Sequence, residues 1–153
     1  MAAPDTQSLY QFENALENAA KAILTAIPLN AYRQRDTATL ATPWAAVQLS
    51  GTRADGGMHQ IGNVGWPNSF EASLRIIIAT NRTKNASDHS AYVGKVRAAM
   101  YTLTNWSGAL LPYHYVWSAM ETGSVPSIDA EENWDMTEIT FALKFQINEL
   151  AWP

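Results

Sequence analysis

The stretch that most narrows the fold lies near the C-terminus, in MTEITFALKFQINEL. There Ile139, Phe141, Leu143, Phe145 and Ile147 alternate with Glu138, Thr140, Ala142, Lys144 and Gln146. A period of two is the signature of a strand with one face buried and the other in water. A helix would scatter these side chains around its whole circumference, so this segment commits the chain to a sheet.

A second alternation runs from Phe70 through Ala72, Leu74, Ile76 and Ile78, with Glu71, Ser73, Arg75, Ile77 and Ala79 between them. Upstream, WAAVQLS at 44–50 is a short apolar run suited to a strand, and YHYVWSAM at 113–120 reads as another, with Tyr113, Tyr115 and Trp117 on one face. Two segments show helical spacing instead. Leu9, Phe12, Leu16, Ala19, Ala20, Ile23 and Ile27 recur at steps of three and four, with a Ser8/Gln11 capping box or Asp5 at the start and Pro28 at the end. After the turn-rich NRTKNASD, with Ser87 or Asp88 placed to cap, Tyr92, Val93, Val96, Met100 and Leu103 form an inward stripe while Lys95 and Arg97 face out.

Three segments carry no such period. Residues 30–43 read as a loop with room for a short strand, carrying Arg33 and Arg35, and NWSG at 105–108 breaks the second helix. ETGSVPSIDAEEN at 121–133 reads as a polar connection, and GTRADGGMHQIGNVGWPN at 51–68 as a glycine-rich arm turning at Asp55–Gly57. An arm that long without a core pattern is uncommon in a small domain and is often functional. The expected fold is α+β: a mainly antiparallel sheet of about four to five strands, one face covered by two helices, with a β-hairpin-like arm. The chain has 153 residues, the size of one domain, so 1–153 is taken as a single unit.

An apolar fraction of 47% and a charged fraction of 16% are those of a folded globular protein. No apolar run approaches the length of a spanning helix, and the start MAAPDTQSLY lacks the features of an export signal, so neither membrane nor secretion is expected and the NRT, NAS and NWS sequons carry little meaning. With no cysteine, disulfides, thiolate metal sites and thiol nucleophiles are excluded. A formal charge of −4 disfavours binding to nucleic acid by bulk electrostatics.

No catalytic constellation stands out. His59, His89 and His114 are scattered over a loop, a helix start and a strand, without the spacing of zinc ligands. Asp55, Gly56 and Gly57 are not followed by the Lys-Ser/Thr of a phosphate loop, and no Gly-x-Ser-x-Gly elbow is present. Glu131, Glu132 and Asp135 flank a polar loop and read as solvated charges. No enzyme activity, cofactor or metal is therefore expected. Of the six tryptophans, Trp117 is expected in the core, whereas Trp66 in the arm and Trp152 beside the C-terminus are hard to bury in a monomer. Together with Arg53, Asp55 and His59 they are the candidate interface residues.

The order and spacing of LYQFENALENAAKAI, TPWAAVQLSG, FEASLRIIIATNR leading to HSAYVGKVRAAM, and SAMETGSVPSIDAEENWDMTEITFALKFQI resemble the tail terminator (tail completion, head-tail joining) family of tailed bacteriophages. The resemblance covers most of the chain and rests on layout, since that family has no catalytic residues to match. It implies a structural virion protein at the head-tail junction, made in the bacterial cytoplasm. Its subunits would form a ring, commonly a hexamer, that meets the tail tube protein on one side and a head-tail connector or stopper protein on the other. Genomic DNA would pass through the lumen without specific binding. The alternatives are another connector or neck ring protein, a tail tube subunit or, from a different class, a small α+β enzyme or ligand-binding domain with a pocket near Tyr113, His114 and Tyr115.

Overall fold

The computed structural model describes residues 11–34, 39–54, 69–84, 88–110 and 114–147. In chain order the elements are α1 (Phe12–Leu24), β1 (Asn30–Arg33), β2 (Trp44–Ala54), β3 (Ser69–Asn81), α2 (His89–Tyr101), α3 (Leu103–Leu110), β4 (His114–Asp129) and β5 (Trp134–Ile147). The strands form one five-stranded sheet in the order β1-β2-β3-β5-β4, antiparallel throughout except for the parallel β1–β2 pair. The α+β architecture matches the pattern of alternation, with one more helix than the sequence suggests.

The register explains the core. Ile76 lies opposite Ile139, Leu74 opposite Phe141, Ala72 opposite Leu143 and Phe70 opposite Phe145, so the two alternating strands put their apolar faces on the same side. Val47 and Leu49 of β2 continue that face across Ile76 and Leu74. α1 covers it with Phe12, Leu16, Ala19, Ala20, Ile23 and Leu24, and α2 with Val93, Val96 and Met100. Phe12, Phe70 and Phe145 form an aromatic triangle with centroids 4.7 to 5.7 Å apart. Fully burying each large side chain stabilises the fold by about 1.5–3 kcal/mol.

α3 occupies the segment read as a break. Thr102 adopts an extended conformation and ends α2, and its hydroxyl and the Asn105 amide donate to the carbonyls of Ala98 and Ala99, two of the acceptors a helix end leaves open. Trp106, fully buried, donates its indole N–H to the Met100 carbonyl at 2.9 Å and anchors the short helix to the end of α2. Burial of this indole outweighs the weak local propensity of an Asn- and Gly-containing segment. Leu103, expected in the inward stripe, starts α3 and is exposed. Arg97, expected to face solvent, reaches the Glu121 carboxylate of β4 at 2.6 Å.

The largest departure concerns 121–133. Instead of a connection, this polar segment is the outer half of β4, paired with β5 from Glu121 to Asp129. The tight turn that permits it is built by two residues. The Asp129 carboxylate accepts the backbone N–H groups of Glu131 and Glu132, and Asn133 takes a left-handed conformation with φ of 60°. β4 also carries register shifts between Val116 and Ser118 and between Glu121 and Gly123. The bulge beside Trp117 changes which side chains point inward. His114, Val116 and Ala119 face the core, Tyr115 is exposed, and Trp117 lies half-buried beside the Lys144 ammonium, 5.5 Å from its ring.

The side of the sheet away from the helices is not uniformly polar. Trp44, Ala46 and Ala79 are buried there, with Tyr32, Ile77, Trp134 and Met136 packed around them. The Trp44 and Trp134 rings meet edge to face at 5.3 Å. Asn30 places its N–H on the Pro43 carbonyl, and the Thr42-Pro43 peptide is cis.

Candidate functional site

Two edges of the sheet are the features that a partner could use. On one side β1 is only four residues long and pairs with Trp44–Val47, so beyond that point β2 has no strand neighbour on its outer side among the described residues. A buried carboxylate closes the first gap. Glu17 of α1, fully buried, accepts the Leu49 N–H at 2.9 Å and pairs with the Arg33 guanidinium at 2.7 Å. Arg33 also donates to Asn18 at 3.1 Å. One helix residue thus ties α1 to both β1 and β2 and occupies a strand donor that would otherwise be open.

The other edge has no such cover. β4 runs for 16 residues with β5 on its inner side, and among the described residues nothing pairs with its outer side. From His114 to Asp129 it contains no lysine or arginine, the residues that natural sheets commonly place on edges to keep strands apart. Met120, Val125 and Ile128 are 63%, 63% and 58% exposed, and Tyr115 is exposed as well. Pro126, which has no N–H to give, sits in this strand as proline does on sheet edges. The proline and the two register shifts shorten the stretch that can pair, and what is left, an edge with no strand neighbour among the described residues, is a template for adding a strand from another chain.

Of the five candidate interface residues, Asp55, His59, Trp66 and Trp152 lie outside the described residues. Arg53 stands near the end of β2, largely exposed, and reaches Glu71 across the strand pair at 3.2 Å. The first part of the arm, Gly51–Ala54, is strand rather than loop and pairs with Phe70–Ser73. Sequence reading missed the outer half of β4 as a strand because it lacks apolar alternation. The absence of basic residues combined with Val125, Pro126 and Ile128 was the available signal.

Polar groups on the helix-free face are largely paired. Arg75 grips Glu138 with two hydrogen bonds, 2.8 and 3.0 Å long, and touches Gln48 at 3.5 Å. The hydrogen bond from Arg75 holds the Glu138 carboxyl below its ordinary value, against a smaller opposing effect of burial, and Glu138 in turn raises the guanidinium. Asp135 pairs with Arg82 at 3.4 Å, and Glu131 and Glu132 stand exposed at the hairpin turn.

His114 and Tyr115 point to opposite faces of β4, one buried and one exposed, so they do not converge on a pocket, and Tyr113 lies outside the described residues. A cavity of about 430 Å³ lies elsewhere, between the start of α2 and the β4–β5 hairpin, lined by His89, Pro126, Ser127, Ile128, Asp135, Met136 and Thr137. Among the described residues no three His, Asp or Glu side chains are grouped to hold a metal. No described helix is long and apolar enough to cross a membrane.

No family model matches the chain, and no curated protein matches it. Among solved structures, a chain of the virion of a native gene transfer agent particle superposes with a TM-score of 0.54 at 13% identity, covering 90% of this chain and 91% of that one. At that identity the likeness is one of fold, and it extends over nearly the whole of both chains.

Proposed function

We propose that this chain is a structural virion protein of the tailed-phage type, a tail terminator that forms a ring at the head-proximal end of the tail tube. The ring docks on the last tube layer, occupies the contacts a further layer would need, and offers its other face to the head connector or stopper protein. Subunits join around the ring through sheet edges, the uncovered edge of β4 meeting the far side of a neighbour, with the glycine-rich arm read from the sequence at 51–68 as a further contact. Repetition of one modest contact around a closed ring supplies the affinity. Genomic DNA passes through the lumen without specific contacts.

The observation that carries this reading is the fold likeness to a gene transfer agent virion chain over 90% of the sequence. The long edge strand without basic residues is consistent with a chain built to be completed by a copy of itself. Electron microscopy of a lysate lacking the gene, beside one with the gene restored, tests it. Heads accompanied by unjoined, overlong tails are the expected result. Tails of normal length that fail to join heads would assign the chain to a neighbouring connector ring, and intact infectious particles would overturn the reading.

A further inference from the structure

The imidazole of His89 is held in an unusual way for the first residue of a helix. Nδ1 lies 2.9 Å from the Thr80 hydroxyl on β3, and Nε2 lies 2.8 Å from the Thr137 hydroxyl on β5. Thr80 is fully buried, and its strand is hydrogen-bonded to the one that carries Thr137. A single ring therefore fastens the first turn of α2 to two adjacent strands. A neutral imidazole suits this arrangement, since one nitrogen donates to one hydroxyl while the other accepts a hydroxyl hydrogen from the second.

Adding a proton from solvent changes the count. Both nitrogens become donors, so the hydroxyl that had donated must turn and accept, and its hydrogen loses the acceptor it had. The surroundings offer the charged ring an alternative. His89 borders the cavity of about 430 Å³, whose wall includes the Asp135 carboxylate.

The charges around the ring act in opposing directions. From β5, Asp135 favours the cation, although it is shared with Arg82 just beyond β3. On the helix side Asp88 precedes the ring, but the N-terminal end of α2 disfavours a positive charge. From β4 the cavity wall is Pro126, Ser127 and Ile128, none of them titratable. Burial outweighs these effects and holds the ring below its ordinary value, with Asp135 as the smaller opposing influence.

We propose that His89 is a proton-released latch: neutral, it fastens α2 to β3 and β5; charged, it leaves the threonines for the cavity and frees the first turn of α2. The sign follows from the lowered value in the fold. The unfolded chain takes its proton near 6.5, so the latched state is fully favoured above that pH and loses ground as pH falls below it.

Hydrogen-deuterium exchange of the full chain at about pH 7.5 and about pH 5, corrected for the intrinsic pH dependence of exchange, reads this directly. The expected result is that peptides from the first turns of α2 lose protection about three- to tenfold at the lower pH, the size of one net hydrogen bond, while peptides from β5 between Ile139 and Phe145 do not. His89→Gln should abolish the α2-specific change. Thr137→Val, which keeps the histidine and removes one hydroxyl, should move the midpoint of release upward toward that of free histidine. A wild-type chain with no α2-specific loss, a His89→Gln variant with undiminished pH dependence, or an unmoved midpoint in Thr137→Val would each overturn the proposal.

Discussion

At the scale of single residues, Glu17 is a buried polar group that joins three elements among the described residues. Its carboxylate serves a guanidinium and a strand N–H from a fully buried position, so removing it strands the Leu49 N–H and takes from Arg33 its charged partner, leaving Asn18. Glu17→Ala is expected to cost about 3 kcal/mol in urea unfolding, the lower end for a broken buried pair because Arg33 keeps some contact with water. Glu17→Gln, which retains an acceptor for Leu49, should lose less. Glu138 behaves differently because it is exposed enough to be screened. Its carboxyl is depressed in the fold, so the stability it adds is present above the unfolded value of 4.5 and is lost as pH falls through the folded one. The urea midpoint of wild type should fall more steeply below about pH 4.5 than that of Glu138→Gln, by a difference under about 1 kcal/mol. Neither pairing was legible in the sequence. Glu17 looks like any acidic residue near a helix stripe, and only the shortness of β1 gives it a strand donor to satisfy.

At the scale of elements, the strands whose apolar residues alternate were readable because the signal is the burial itself. Ala72 to Ile78 and Ile139 to Ile147 form the buried face that their spacing predicts, with Phe70 half-buried at its end. The helical stripe from Phe12 to Ile23 was readable for the same reason. α3 and the outer half of β4 were hidden because other forces make them. α3 is held by the buried Trp106 and by side chains that close the end of α2, and outer β4 is held by pairing to β5 and by the turn at Asp129 and Asn133. Trp117 was misplaced because His114 and Val116, not the larger Tyr115 and Trp117, set the inward phase of β4, and the bulge after Val116 then moves that phase to Ala119. The edge of β4 supplies a prediction that separates folding from association. Val125→Lys lies on an exposed site, so its thermal midpoint should correspond to a change within about 0.5 kcal/mol. If the proposed ring uses this edge, its assembly, followed by native mass spectrometry, should fail in the same protein.

At the scale of the whole molecule, the sheet has unlike sides: a short strand backed by Glu17 at one, and at the other the sixteen residues of β4, which have no outer strand neighbour among the described residues. The candidate site was only partly legible, since Arg53 was named from the sequence while β4 was not. The arm was read from its glycine content, and replacing Gly56 to Ile61 by a short turn should leave the chain folded yet absent from purified particles. Incorporation at the normal level would remove the arm from the assembly mechanism. Unlike sides also bear on copies that meet away from the proposed ring. Two of them can join β4 to β4, antiparallel about a twofold axis, a contact that closes on itself and uses up the edge the ring would need. Overproduced chain should then collect as a soluble dimer in sizing chromatography rather than as larger assemblies.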